Sequence, residues 1–215
     1  MKRTATLTPS RTAAVAVVFA LALGGAACIV KDTRSVIYLA PDGSATWTIF
    51  ESDVRSDAKE ASERAKEEEA WRTESAANPS PLAALLESLG GRSVSKTVLK
   101  DTVPFEVHTT ARFDRIEALF DRLCAAGGFY CVSRTERDGE RTTLTVDMLE
   151  ELDVPGPERN GMNDALSNLK IVLTDGRLIT AKGFVLIDER SAKLDEKAFE
   201  NDTVTLKLTW AKDRQ

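Results

Sequence analysis

The sequence predicts an α+β fold: a mainly antiparallel sheet built from hairpins, with one packed helix and an inserted helical arm. About nine short runs of β-forming residues lie along the chain, separated by strings rich in Gly, Asp and Pro that form turns. The helical stretches are inserted between these runs and do not alternate with them. That order favours an antiparallel domain over a doubly wound parallel one.

The first predicted hairpin joins residues 34–40 to residues 45–50. Its turn, residues 41–44, contains Asp42 and Gly43. Glycine tolerates the positive φ that a tight turn needs, and an aspartate side chain can bond to the turning backbone.

A helical arm is predicted at about residues 52–91. From about Asp53 to Thr73 the composition changes to Ala, Glu, Lys and Arg, and Ser52 or Asp53 is expected to cap this helix. Its apolar stripe is thin and consists of Val54, Ala58, Ala61 and Ala65. A short helix from Leu82 to Leu89 follows, and the arm is expected to add little to the core.

The second half of the chain is patterned more clearly. Residues 92–100 and 105–113 are predicted strands, and a helix follows from Asp114 to Ala126, opened by a capping box of Asp114 and Glu117. Further strands are expected at 129–135, 142–149, 169–173 and 178–187, and the last two of these are predicted to form a hairpin. The final run, 203–210, alternates apolar and polar residues, which is typical of a strand with one buried face.

The three tryptophans lie in different predicted elements. Trp47 and Trp210 are on strands and are expected to pack in the core. Trp71 is near the polar end of the first predicted helix and is expected to be half exposed. It would there cover the mouth of an apolar pocket or contact a partner.

Cys124 and Cys131 are predicted to form a structural disulfide, because an even pair of cysteines in an exported chain is typical of one. Free thiols are the alternative. Six residues separate the two cysteines, which disfavours a redox motif of the Cys-x-x-Cys type. A zinc site is disfavoured because His108 is the only histidine of the chain.

The chain contains no motif that indicates catalysis or a cofactor. A Ser-His-Asp site would have to use His108, which lies within a predicted strand, and no Gly-x-Ser-x-Gly elbow is present. The acidic run Glu67–Glu69 is expected to be a solvated helix face. A phosphate loop, a dinucleotide fingerprint and an EF-hand loop are all missing from the sequence. We therefore expect no enzymatic activity, no cofactor and no metal site.

The N-terminal region indicates export. Lys2 and Arg3 precede an apolar run from Ala13 to Ala27, which is too short to span a bilayer comfortably and is typical of a signal peptide. Residues 1–27 are expected to be removed, leaving a single domain at 28–215. Without them the formal charge is −8, since they hold three of the 29 basic residues and none of the 34 acidic ones. Such acidity argues against nucleic acid and against anionic headgroups as partners.

The small residues before Cys28 (Gly24, Gly25, Ala26 and Ala27) resemble the lipobox of bacterial lipoproteins, although that family usually has Leu where Gly25 stands. The resemblance implies that Cys28 is acylated and that its acyl anchor holds the protein at a membrane. Ile29 follows Cys28, which in lipoproteins of this kind implies the outer membrane, facing the periplasm, where the organism has two membranes. The alternative is a secreted protein that is cleaved nearby.

A second resemblance covers residues 28–70 and 203–210. Cys28 followed by a strand, the Asp42-Gly43 turn, a strand and a helix, with Trp210 on the last strand, is similar to bacterial lipoproteins of the LppM-like kind. That resemblance implies an α+β domain that binds lipid in an apolar cavity.

Three functions are therefore expected from the sequence, in order of preference. The first is a non-enzymatic envelope lipoprotein that binds an apolar or lipid ligand. The second is a structural or assembly factor that contacts another envelope protein through the arm at 52–91. The third is a hydrolase of unrecognised type.

Overall fold

The computed structural model describes residues 29–126, 129–151, 169–195, 197–198 and 204–212. The predicted signal peptide and Cys28 lie outside the described residues, so their predictions stay predictions. In the described part of the chain, no helix is both long enough and apolar enough to span a bilayer.

Eleven strands and three helices occur in these described ranges. The strands are β1 (Ile29–Leu39), β2 (Ala45–Ser56), β3 (Arg92–Lys100), β4 (Phe105–Phe113), β5 (Phe129–Asp138), β6 (Arg141–Glu151), β7 (Leu169–Leu173), β8 (Arg177–Lys182), β9 (Phe184–Leu186), β10 (Ser191–Leu194) and β11 (Val204–Ala211). The helices are α1 (Ala61–Ala76), α2 (Pro81–Ser88) and α3 (Ile116–Ala126).

The strands form two sheets, and the predicted α+β class is confirmed. The larger sheet has seven strands in the order β3-β4-β2-β1-β7-β10-β9, and the smaller has four in the order β5-β6-β11-β8. Every pair of neighbours is antiparallel except β1 and β7, which are parallel. The predicted hairpin β1–β2 is present, and the predicted strands β3 and β4, and β5 and β6, also pair as hairpins.

The predicted hairpin of 169–173 with 178–187 is wrong. β7 pairs with β1 and β10, whereas β8 pairs with β11 in the other sheet. The run 178–187 is divided at Gly183, which has a φ of 72° and leads β9 back into the larger sheet. A Cβ at Gly183 would lie 2.5 Å from Cδ2 of Leu206, so the chain needs glycine where it crosses between the sheets.

The predicted start of the first helix is also wrong. β2 continues to Ser56, and the helix α1 begins only at Ala61, with Glu60 as an N-cap residue whose side chain makes no capping bond. Asp53 has a φ of 51° at a register shift between β2 and β4, and Val54 then pairs with Phe105. Because Val54 gains a fully buried position across from an aromatic residue, sheet pairing outweighs the local helix propensity.

The main core lies between the two sheets and beneath α2 and α3. Its largest fully buried side chains are Trp47, Trp210, Ile37, Leu39, Leu86, Ile116, Leu119, Leu144, Leu169, Ile171, Leu206 and Leu208. Leu86 and Leu89, at the end of the predicted arm, belong to this core. The prediction that the arm adds little to the core is therefore wrong for α2.

Other sequence predictions for the core are confirmed. Trp47 and Trp210 are both buried, and Trp47 Nε1 donates a hydrogen bond of 2.6 Å to Ser35 Oγ. On β11, Leu206 and Leu208 are buried while Lys207 between them is exposed.

The helix α3 is tied to the smaller sheet. A disulfide joins Cys124 of α3 to Cys131 of β5, with 5.9 Å between the two Cα atoms. The apolar face of α3, which the sequence predicts, is buried at Ile116, Leu119, Phe120 and Leu123.

Candidate functional site

A second group of buried apolar residues lies outside the main core, at one end of the larger sheet. We call Val54, Phe105 and Val107 the apolar strip. All three are buried, and none belongs to the cluster that forms the main core. Val54 on β2 is opposite Phe105 on β4, and Val107 is opposite Glu51.

The strip and the main core share one face of β4. Every second residue of this strand is buried from Phe105 to Phe113, so all five point to the same side. Ala111 and Phe113 are in the main core, and Phe105 and Val107 are in the strip. Thr109 separates the two regions.

The helix α1 packs against the strip at Phe105 and presents a polar face there. None of its described side chains is buried, and the half-buried ones are Arg64, Glu67, Glu68, Trp71 and Ser75. Ala61 and Ala65, which the sequence places on an apolar stripe, are exposed. That stripe is wrong because Val54 belongs to β2, and without it the alanines have little area to bury.

One aromatic contact and two carboxylate hydrogen bonds hold the helix α1 against β4 and β2. The ring of Trp71 stacks on Phe105, with centroids 5.2 Å apart and an interplanar angle of 28°. Glu67 accepts a hydrogen bond from the hydroxyl of Ser56. Glu68 accepts a hydrogen bond of 3.2 Å from the backbone N–H of Ser56. Trp71 is half exposed, as predicted, and the apolar pocket or partner that it was expected to cover or contact stays a prediction.

Polar groups border the strip on the side of the main core. Thr109 is buried, and its Oγ1 has no hydrogen-bond partner among the described residues. Lys96 of β3 is opposite Thr109, and burial lowers the pKa of its ammonium group, although the charge of Glu51 acts in the other direction. Glu51 also forms an ion pair with Lys31.

An apolar surface that ends at an unsatisfied hydroxyl and a partly buried ammonium group suits a molecule with an apolar chain and a polar end. A buried polar group is normally hydrogen-bonded, and Thr109 Oγ1 is free to bind such an end. Nothing in the strip itself carries a nucleophile.

His108 lies on the other face of β4. Its ring stacks on Phe50, with centroids 4.8 Å apart, and its Nε2 is buried without a hydrogen-bond partner in the described part of the chain. The acidic run is distributed between two contacts, since Glu67 and Glu68 bind Ser56 while Glu69 pairs with Arg72. Among the described residues, no group of three or more His, Cys, Asp or Glu side chains is placed to hold a metal ion.

The sequence predictions locate only part of this site. Trp71 is the one strip contact that they single out, whereas Val54 is assigned to a helix and Phe105 and Val107 are taken as ordinary strand residues. The alternation from Phe105 to Phe113 could have predicted the strip, because it indicates a buried face along the whole strand, and only Ala111 and Phe113 of that face are in the main core. Cys124 and Cys131 lie on α3 and β5, which do not contribute to the strip.

The arm does not present the apolar patch that the assembly-factor alternative expects. Leu86 and Leu89 are packed in the main core, and Leu82 and Leu85 pack against it. Trp71 is engaged with Phe105.

The fold and the strip define an α+β domain of two sheets with a helix-covered apolar surface. No protein-family model matches this chain, and no curated protein does. Among solved structures, it is similar to the NMR structure of the folded domain of LppM from Mycobacterium tuberculosis, with 11% sequence identity and a TM-score of 0.36. The similarity covers 87% of this chain and 92% of that chain. The structural resemblance to LppM is loose.

Proposed function

We propose that this chain is a lipoprotein of the bacterial envelope, acylated at Cys28, that binds an acyl-chain ligand with an anionic end and does not act on it chemically. The observation that carries this proposal is the apolar strip, which is buried outside the main core and is contacted by Trp71 of the polar helix α1. In a two-membrane organism we place the protein at the outer membrane, facing the periplasm.

The strip supports the proposal because its three buried apolar side chains face a helix that has no buried side chain of its own. Full burial of a side chain such as valine or phenylalanine is worth about 1.5–3 kcal/mol. Val54, Phe105 and Val107 are all buried, and α1 contacts the strip through the ring of Trp71, which stacks on Phe105. An acyl chain in the place of Trp71 would keep these residues buried while the polar face of α1 returns to water.

The polar border of the strip supports an anionic end on the ligand. Lys96 is partly buried, and a carboxylate or phosphate beside it would favour its charged form. Thr109 Oγ1, which has no hydrogen-bond partner among the described residues, would gain one. The ligand would then lie along β4, with its apolar chain toward Phe105.

Quenching by a brominated fatty acid tests where the ligand lies. Dibrominated stearic acid is titrated into residues 28–215 carrying Cys28→Ser, because bromine quenches tryptophan only at close range. We expect saturable quenching in this protein and none in its Trp71→Phe variant, where only Trp47 and Trp210 remain in the main core. Binding to the variant is checked separately, by displacement of a fluorescent fatty acid.

Two results would contradict the proposed site. Equal quenching in the Trp71→Phe variant would place the ligand in the main core. An absence of saturable binding in both proteins would mean that the chain is not a carrier of acyl chains.

A substitution at the border tests the polar end. Lys96→Gln should weaken the binding of stearic acid and leave the binding of stearyl alcohol unchanged, because the alcohol has no negative charge to lose. Lys100→Gln, on the same strand, is the matched control and should leave both affinities unchanged. Equal loss of both ligands in Lys96→Gln would mean that the lysine stem, not its charge, matters.

The anchor is tested separately from the ligand. Expressed in a bacterium, the full-length chain should partition into a detergent phase and the Cys28→Ser variant should not. Equal partitioning of the two proteins would contradict acylation at Cys28.

A further inference from the structure

The end of the larger sheet that holds the strip is also the end at which the chain enters from Cys28. Ile29 is the first residue of β1 and pairs with Ser56, the last residue of β2. Two residues earlier on β2, Val54 pairs with Phe105, the first residue of β4. The β3–β4 connection, residues 101–104, therefore projects from the same end of the sheet as Ile29.

Four large apolar side chains are exposed at this end, while a second exposed apolar run, Val185–Ile187, lies on and after the edge strand β9. Leu99 is 57% exposed, Val98 49%, Val103 45% and Val30 44%. We call residues 98–103 the hairpin tip. The predicted mature chain is strongly acidic, but the strand ends and the hairpin tip here hold both signs of charge equally. The basic residues are Lys31, Arg55 and Lys100, and the acidic residues are Asp32, Asp53 and Asp101.

We propose that the hairpin tip inserts into the lipid bilayer beside the acyl anchor, so that this end of the sheet faces the membrane. The inference rests on the proposed acylation of Cys28, from which no residue separates β1. Neighbouring strands are about 4.8 Å apart, so β4 lies roughly 10 Å from β1 across the sheet. An acyl anchor at Cys28 would therefore hold the tip within about the width of a few lipids.

The position of the hairpin tip favours the lipid bilayer, and not a partner protein, as the surface that the tip contacts. A partner protein would have to reach the tip beside the anchored residue, where the membrane itself occupies the space. The balanced charge of this end neither attracts nor repels headgroups strongly, so that the exposed apolar side chains decide the contact. Lys100 can extend its ammonium group toward the headgroups from within the tip.

Docking in this orientation would also connect the bilayer to the apolar strip. Val103 is two residues from Phe105, and Phe105 is the strip residue on which Trp71 stacks. The charge of Asp101 in the connection acts on Arg72, the next residue of α1. An acyl chain could then move from the membrane to the strip beneath α1 without crossing water.

Site-directed fluorescence on the full acylated chain tests the proposal. Leu99→Cys and Val103→Cys are labelled with a dye that is sensitive to water, in protein reconstituted into phosphatidylcholine–phosphatidylglycerol vesicles that contain a spin-labelled lipid as quencher. The matched control is Val185→Cys, because Val185 is 54% exposed and also lies on an edge strand of the same sheet. Val185 is level with Val36 of β1, about 23 Å along the strand from Ile29.

We expect lipid quenching to be several-fold stronger at positions 99 and 103 than at position 185. Unchanged near-ultraviolet circular dichroism verifies that each labelled variant is folded. Equal quenching at all three positions would indicate non-specific adsorption and would overturn the proposal.

The same experiment separates this inference from the proposed function. Mass spectrometry of the reconstituted protein determines whether Cys28 carries its acyl chains. Water-exposed labels at 99 and 103 on an acylated protein would overturn the docking and leave the anchor standing. An unmodified Cys28 would overturn both.

Discussion

The main core and the apolar strip are both buried, but they are buried in different ways. In the main core, apolar side chains of two sheets and two helices meet each other, and Trp47 Nε1 donates a hydrogen bond to Ser35. In the strip, sheet residues are covered by a helix that has no buried side chain of its own. The difference leads us to expect unequal stability despite equal burial, because the strip lies outside the cluster that two sheets and two helices build together.

The largest expected effect belongs to the main core. Leu206 is only 1% exposed, and Leu206→Ala should lower the free energy of unfolding by about 2–4 kcal/mol, because it removes transfer energy and leaves a cavity. Denaturant melts measure this. A loss under about 1 kcal/mol would show that the two sheets close over the gap and would weaken the contrast with the strip.

A smaller loss is expected in the strip. Val107→Ala removes two methyl groups from a buried side chain outside the main core, and we expect it to lower the free energy of unfolding by about 1–2 kcal/mol. Melts of Val107→Ala and Leu206→Ala are compared side by side. If Val107→Ala were the more destabilising of the two, the strip would have to be counted as part of the core.

Among these three sites, Trp71 of α1 should contribute least to the stability of the fold. Its loss should most increase the access of solvent and ligands to the apolar strip. Trp71→Ala removes the stack on Phe105 and should lower the free energy of unfolding by only about 1 kcal/mol. Hydrogen exchange at the backbone of α1 should become faster while exchange in β11 is unchanged. Ala61→Ser on the exposed side of α1 is the control and should change stability by less than about 0.5 kcal/mol. Equal hydrogen-exchange rates in α1 of the Trp71→Ala and Ala61→Ser variants would mean that Trp71 does not hold the helix in place.

The smallest expected effect is the pH dependence that Lys96 adds. Burial lowers the pKa of Lys96 in the folded protein, so between this lowered pKa and the ordinary lysine value the unfolded chain binds more protons. Stability should therefore rise with pH across that alkaline window, and the rise should be smaller in Lys96→Met. Melts of both proteins at several alkaline pH values measure the difference. A steeper rise in the variant would reverse the assigned sign.

Local sequence patterns predict the parts of this fold whose partners are near in the chain. The β1–β2, β3–β4 and β5–β6 hairpins, the helix α3 and the alternating strand β11 follow from turn residues and from the spacing of apolar residues. Cys124 and Cys131 are likewise only seven positions apart.

The pairings that a local pattern cannot predict are those between distant segments. The parallel partner of β1 is β7, more than 130 positions away, and nothing in either run specifies the other. The run 178–187 has the composition of one strand, but the positive φ at Gly183 divides it between two sheets. The apolar strip is missed for the same reason, because Val54 has its buried position only once Phe105 lies opposite it.

The place of β1 inside the larger sheet has a mechanical consequence. A tether attached ahead of Ile29 pulls along the axis of β1, which is hydrogen-bonded to β2 on one side and to β7 on the other. Because ladder bonds lie across the strands, such a load shears many of them together and does not open them one after another. A tether at an edge strand such as β3 or β9 would peel that strand away bond by bond. A chain anchored at Cys28, as we propose, would therefore meet a pulling force at a strand that is paired on both sides over Ser35–Leu39.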